Sequence, residues 1–322
     1  MKKIDVLLAT YNGASYIKDQ INSLLINFEY LQNYTCRILI SDDGSTDNTI
    51  ELINDLLISN KVILLDYKRK NGVRNNFTFL LKQTEADYVF FCDQDDLWLP
   101  KKMKIFMDHF TSNEMQNKPL LIHSDLCVSN KELSPIHTSM FEYQKLNNNP
   151  SFGHLLVSNS ITGCVCAINN PLLILLKKSS ISESIMHDWY AALVASAFGQ
   201  IIYIPKSLIL YRQHDKNQVG AKKLTFGTTF FSKQLYSKYQ SSLQSVEKTR
   251  VQAELFLSDY GSYIDSVYLT QASDYINSFK SNIFVRLYLF LFKDINKTGM
   301  SRIIGFFIVY VILGNRLKEL AK

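Results

Sequence analysis

Three carboxylates stand within four residues at Asp93-Gln94-Asp95-Asp96, directly behind the apolar run Tyr88-Val89-Phe90-Phe91-Cys92. Carboxylates this close repel one another unless water screens them or a cation sits among them. Such oxygen ligands suit Mg2+ or Mn2+, which one or two carboxylates hold while water and substrate phosphate complete the shell. An acidic loop capping the helix that starts near Pro100 would explain one aspartate and leave two unexplained. Three further clusters invite chemistry. Thr10-Tyr11-Asn12-Gly13 and Ser41-Asp42-Asp43-Gly44-Ser45 each close a short β-rich run, and His187-Asp188-Trp189 opens an apolar stretch. In the second cluster one aspartate can cap the next helix, leaving the other to accept a hydrogen bond, for instance from the imide N–H of a pyrimidine. A nucleoside diphosphate fits the set, its base toward Asp42 and Asp43 and its diphosphate on the metal. Asp188 reads first as a helix cap. Yet the chain's two tryptophans, Trp98 and Trp189, both adjoin acidic clusters, and rings beside carboxylates suit a sugar cleft. In Tyr211-Arg212-Gln213-His214 a histidine beside an arginine at a strand end can complete a metal shell or meet phosphate.

The elements that must carry these clusters alternate. Ile4 to Thr10, Cys36 to Ile40, Val62 to Leu65 and the run ending at Cys92 read as strands. Between the first two, Ile17, Ile21, Leu24, Leu25 and Phe28 mark one face of a helix, and Ile50, Ile53, Leu56 and Leu57 mark the next. Strands and helices alternating at this spacing predict βαβ units and a parallel sheet, with ligands outside the carboxyl ends of the strands. After the helix behind Pro100 the pattern loosens. Leu120 to His123 reads as a strand, Ser134 to Pro150 as a long loop, Gly163 to Ile168 as strand-like, and Ile201 to Ile204 and Leu208 to Tyr211 as two strands around Pro205. A boundary falls near Gly220, dividing a domain over 1–220 from a mostly helical region over 221–322 that lacks proline.

With 322 residues, 47% apolar and 20% charged, the chain is ordinary for a globular protein. Its net charge of +6 is concentrated at one end. From Phe284 to Lys322 seven Lys or Arg face two acids, leaving +5, which favours an anionic partner. The apolar stretches Ile283 to Phe292 and Ile303 to Gly314 fall short of the roughly 20 residues that span a bilayer, so they are expected either inside the protein's own core or docked at a membrane interface. The tail lacks the polar, aromatic-interleaved basic clusters of a nucleic-acid binder. Five cysteines without a Cys-x-x-Cys pair or a secretory leader suggest reduced cytoplasmic thiols. No dinucleotide fingerprint, P-loop, serine-hydrolase elbow or structural-zinc spacing occurs.

Taken in order, Thr10-Tyr11-Asn12-Gly13, Ser41 to Asp47 and Asp93 to Pro100 resemble the family 2 glycosyltransferases with the GT-A fold. His187-Asp188-Trp189 and Arg212 to Gly220 are similar to the rhamnosyltransferase-like branch that builds bacterial surface polysaccharides. The resemblance covers roughly residues 1–220. It implies an α/β, Rossmann-like, mostly parallel sheet flanked by helices, followed by a helical C-terminal extension. It also implies inverting hexosyl transfer from a nucleotide-diphosphate sugar to a glycan or polyprenyl-linked acceptor, as in O-antigen synthesis. By the same resemblance Thr10, Tyr11, Asn12, Asp42 and Asp43 hold the base, with Asn71, Asn76 and Arg212 as further donor contacts. Asp93 and Asp95 take Mn2+ or Mg2+ with His214, and Asp188 is the catalytic base. Asp96, Trp98 and Trp189 are candidates for the acceptor or sugar, Asp96 alternatively as a helix cap. The family's acidic pair before the acceptor helix is often Glu-Asp, and here His187 stands in place of the Glu. The branch leans toward dTDP-rhamnose, with UDP- and GDP-sugars open, and toward the cytoplasmic face of a membrane. Rival readings are a sugar-nucleotide pyrophosphorylase, whose Gly-rich N-terminal signature is missing, and a non-catalytic nucleotide-sugar or carbohydrate-binding module.

Overall fold

Strand β1 (Lys2–Thr10) is buried from Ile4 onward on both faces, as a central strand of a parallel sheet must be. The computed structural model describes residues 1–115, 117–214 and 232–316, with side chains in the last stretch from 239 to 315. Asp215 to Gly220, the expected boundary among them, and Lys318 and Lys322 lie outside the described residues.

After β1 come α1 (Ile17–Phe28), β2 (Tyr34–Asp42), α2 (Thr49–Asn54), β3 (Val62–Leu64), α3 (Val73–Gln83), β4 (Tyr88–Asp93), β5 (Leu97–Trp98) and α4 (Lys102–Asn113). Then follow β6 (Leu120–Ser129), β7 (Pro135–His137), α5 (Met140–Gln144), α6 (Phe152–Val157), β8 (Cys166–Asn169), α7 (Asn170–Lys178), α8 (His187–Phe198) and β9 (Gln200–Arg212). Four more helices close the described chain: α9 (Ser232–Tyr260), α10 (Ser266–Ser278), α11 (Ile283–Phe292) and α12 (Met300–Phe306), the last continuing as a π-helical segment, Phe307–Ile312. The sheet order is β3-β2-β1-β4-β8-β6-β9-β5, with β7 paired to β6. Strands β1 to β4 are parallel, β8 runs antiparallel between β4 and β6, and β6 and β9 are again parallel. This is a mixed α/β sheet flanked by helices, with a helical C-terminal region.

The described residues fall into two units. One takes Met1–Tyr143, Ile161–Ser182 and 186–214; the other takes Gln144–Ser160, Glu183–Ile185 and 232–316. The stretch 144–160, read as part of the first domain, is thus grouped with the helical region.

Several local expectations change. The long loop after Ser134 contains β7 and α5, because Asp125 on β6 caps α5 from a distance, accepting the Met140 and Phe141 N–H groups at 2.9 and 3.3 Å. The two strands around Pro205 are one strand. Its register with β6 skips between Ile204 and Ser207, so Pro205, which has no N–H, sits in a bulge. The strand-like run at Gly163 opens with a 3₁₀ turn, Gly163–Val165, and only then enters β8. On α1 the buried face includes Gln20, Ser23 and Asn27 rather than Leu25 and Phe28. Asn27 donates to the Leu99 carbonyl at 3.1 Å and accepts the Met103 N–H at 3.1 Å, fixing the chain that leaves β5.

Candidate active site

The strand ends bring the first three clusters together. β1 ends at Thr10, and Gln94 reaches back to it. The Thr10 hydroxyl and the Tyr11 N–H donate to Gln94 Oε1 at 2.6 and 2.8 Å, while Gln94 Nε2 donates to the Tyr11 carbonyl at 3.0 Å. A Cβ at Gly13 would collide with that same amide, which is why the turn needs glycine there. Asn12 adopts φ 49°. Its N–H donates to Ser45 Oγ and its Oδ1 accepts the Thr46 N–H, each at 2.7 Å. Asp42 closes its own turn by accepting the Gly44 and Ser45 N–H groups at 2.9 and 2.7 Å. Asp43 differs. Its Oδ2 accepts the Gly72 N–H at 2.6 Å, and its buried Oδ1 has no partner among the described residues. One carboxylate is therefore spent on the loop and the other keeps an acceptor.

Asn71 sits exposed in the same loop at φ 57°. Asn76 is buried at the start of α3, where its Nδ2 donates to the Ser41 carbonyl at 2.9 Å and holds the helix to the end of β2. Arg69, which the sequence did not single out, lies 5.5 Å over the half-exposed Tyr11 ring and against the Gly44 turn.

Around the end of β4 the three aspartates separate. Asp95 Oδ2 meets His214 Nε2 at 2.7 Å, and the His214 ring stacks on Tyr16 at 4.9 Å. Asp96 is fully buried. It accepts the Arg212 N–H at 3.1 Å and joins Asp93 and Cys164, whose ligand atoms lie within 4.8 Å of one another. Asp96 caps no helix: the N-cap position of α4 is Lys101, in the left-handed region, and no side chain caps it. Arg212 serves its own neighbours, its Nε donating to the Asp95 carbonyl at 2.9 Å and its guanidinium lying 4.7 Å over Tyr16.

Trp98 corrects an expectation. At 1% exposure it packs between Phe90 and Lys102, which removes it from any sugar-binding cleft. Trp189 is half-buried beside Asp188. Lys102 is itself fully buried, with Nζ 3.1 Å from the Trp98 ring centre and donating to the Cys164 carbonyl at 2.8 Å. Burial pulls its pKa down to about 8. Nothing in the sequence separates it from the exposed Lys101 and Lys104.

Asp188 stands in the first turn of α8, buried, with Oδ1 accepting the Trp189 N–H at 2.6 Å. Burial raises its pKa to about 6, against the opposing hydrogen bonds from Trp189 and Gly163. His187 is a neutral wall. Burial drives its pKa down to about 3, and the ring stacks on Phe77 at 4.0 Å. Burial also raises Asp93 to about 7, aided by the charges of Asp95 and Asp188. The centre thus gathers carboxyls whose ionisation burial and mutual repulsion oppose, with Lys102 and Arg212 as buried cations nearby. An oxygen-binding divalent cation fits such a donor set.

Residues 5–152 match Glycosyl transferase family 2. That stretch, a little under half of the chain, is similar to a family 2 glycosyltransferase domain. The chain is 29% identical over 228 residues to the dTDP-rhamnosyl transferase RfbG of Shigella flexneri, covering 66% of this chain and 74% of that protein. Among solved structures, residues 1–349 of S. aureus TarS match with a TM-score of 0.54 at 15% identity, over 99% of this chain and 83% of that one. The mannosyltransferase PcManGT from Pyrobaculum calidifontis, in complex with GDP-Man and Mn2+, matches with a TM-score of 0.50 at 13% identity, over 99% and 87%. The glycosyltransferase domain thus has the GT-A fold.

Proposed function

We propose that this glycosyltransferase moves a hexosyl group, with inversion, from a nucleotide-diphosphate sugar to a glycan or polyprenyl-linked acceptor in polysaccharide synthesis. The observation that carries the reading is the pair of half-buried Asp93 and buried Asp188, from distant parts of the chain, the charge of Asp188 reaching Asp93, at the same strand-end edge of the sheet as the spare carboxylate oxygen of Asp43. Thr10, Tyr11, Asn12, Asp42 and Asp43 shape the base site, with Asp43 Oδ1 as acceptor for an imide N–H. dTDP-rhamnose is the favoured donor, in keeping with the relative in Shigella flexneri; UDP- and GDP-sugars are the alternatives. Asp93, Asp95 and His214 would hold Mn2+ or Mg2+, which would supply charge neutralisation for the leaving diphosphate.

Asp188 takes the proton of the acceptor hydroxyl as its oxygen bonds to C1 of the sugar and the bond from C1 to the diphosphate breaks. One displacement inverts C1 and needs no nucleophile on the enzyme. Its raised pKa of about 6 leaves Asp188 ionised at neutral pH yet more basic than an exposed carboxylate. His187 and Phe77 keep water off one side of the base. Residues 1–220 would carry the transfer, and 221–322 would hold the enzyme at the cytoplasmic face of a membrane, where a lipid-linked acceptor resides.

A panel of dTDP-, UDP- and GDP-sugars with Mn2+ or Mg2+, read by thermal shift and by release of the nucleoside diphosphate, tests this reading. Asp188→Asn should keep donor binding and lose turnover by about 10²- to 10⁴-fold, and Asp95→Ala should lose the metal-dependent part of donor affinity. Full turnover by Asp188→Asn rejects the base; unchanged metal-dependent affinity in Asp95→Ala rejects the metal ligand.

A further inference from the structure

Helix α11 is inside out. A helix on a soluble domain turns its apolar stripe inward and its charges to water. Here Arg286 is buried together with Leu289, and most of the large apolar side chains face solvent. Arg286 is 0% exposed, its Nη1 donating to the Ser281 carbonyl at 2.7 Å. Phe284, Tyr288, Leu291 and Phe292 share the opposite face at spacings of four, seven and eight, and Phe284 and Phe292 are 75% and 70% exposed. The segment beside it repeats the pattern. Ile304, Ile308 and Ile312 form an exposed stripe at intervals of four, and Phe290 joins this segment to α11 through ring contacts with Phe306 and Phe307 at 6.3 and 5.2 Å.

We propose that this face docks into the headgroup–acyl boundary of an anionic bilayer. The inference deepens the membrane-face reading above, on which it rests, and names the surface that makes the contact. One feature sets how the face would meet a bilayer, and another selects lipid over a second protein. α11 has ten residues, about 15 Å of helix at 1.5 Å per residue, so it can lie in the interface but not cross a core of roughly 30 Å; no helix among the described residues is long and apolar enough to cross. The charge is also complementary. Exposed Lys280 and Lys293 bracket α11, with one exposed acid, Asp294, beside them. Lysines at the ends of an apolar stripe reach phosphate while the stripe enters the acyl boundary; the core of a protein interface is instead depleted in lysine.

Flotation of the full chain with vesicles of phosphatidylglycerol and phosphatidylcholine, against phosphatidylcholine alone, tests the proposal without any sugar donor. The chain should bind the anionic vesicles, and the triple substitution Phe284→Glu, Tyr288→Glu, Phe292→Glu should weaken binding at least about tenfold. Lys280→Glu with Lys293→Glu leaves the apolar stripe intact and should also weaken it, with an unchanged melting profile as the folding control. Both variants should still release nucleoside diphosphate with a water-soluble acceptor, so a failure of docking is distinguishable from a failure of the transfer reading. Absence of binding to anionic vesicles, or binding that both variants retain, overturns the proposal. A dimer that the triple substitution dissolves, without vesicle binding, assigns the face to a second copy instead.

Discussion

Both units bury charge, and they treat it in opposite ways. At the end of β4, Asp93, Asp96 and Asp188 are gathered with Lys102 and Arg212 as buried cations nearby, and burial raises the pKa of all three carboxyls. In the helical unit Arg286 is surrounded by acceptors: the Ser278, Ser281 and Val311 carbonyls and Asn315 Oδ1, at 2.7 to 3.5 Å. A buried charge with its hydrogen bonds made can hold a fold together, whereas a cluster of like charges destabilises it unless something else binds. The first pattern is a donor set that an oxygen-binding cation fits. The second is a structural anchor that frees the outer face of α11 for another use.

The largest expected effect tests the first half of that contrast. If Asp188 is a base kept partly protonated by burial, the transfer rate should fall about tenfold per pH unit below about 6, and Asp188→Asn should remove this limb along with the activity. Stability should move the other way. The folded chain holds the Asp188 proton more tightly than the unfolded chain, with a pKa of about 6 against 3.8. That contribution, about 3 kcal/mol, is complete below 3.8 and lost as pH rises through about 6. Melting temperatures of the metal-free protein from pH 4.5 to 7 should fall less steeply in Asp188→Asn than in the parent. An identical slope in both would show that Asp188 ionises without cost and would erase the difference between the units.

Arg286→Ala probes the second half. It strands carbonyl acceptors and leaves a cavity in the helical unit, so stability should drop by about 3 kcal/mol. Nucleoside-diphosphate release with a soluble acceptor should survive wherever the variant remains folded. A Cβ at Gly314 would fall on the guanidinium, so Gly314→Ala should reproduce part of the loss. Stability unchanged in both would mean that Arg286 is not an anchor.

Strand ends were the legible part of this chain. Thr10, Asp42 and Asp93 close β1, β2 and β4 because short apolar runs broken by polar residues have few other foldings. What escaped the sequence depends on partners far along the chain. Asp125 caps a helix that starts fifteen residues later, and Gln94 braces Thr10 across 84 residues. Trp98 looked like a sugar-binding ring because it adjoins aspartates, but β5 pairs with β9 and turns it into the core. Lys102 shows the same limit more sharply: only its three-dimensional surroundings distinguish a buried counter-cation from a surface lysine. Gly163 and Cys164 read as one more strand, although glycine immediately before a buried run is a recognisable sign of close backbone approach.

That glycine offers the finest test of the comparison. A Cβ on Gly163 would stand 3.1 Å from His187 Nε2 and 3.5 Å from Asp188 Oδ2. The first distance is too tight for the neighbour to stay put, and the His187 ring is held against Phe77 and Phe91. Gly163→Ala should therefore cost about 1 kcal/mol of stability and slow transfer several-fold while leaving donor affinity nearly unchanged. It acts by displacing the base, so kcat should change and the donor KM should not. A shift in KM with kcat intact would place the glycine on the donor side instead, and would separate Asp188 from the wall of the pocket in which its acidity is set.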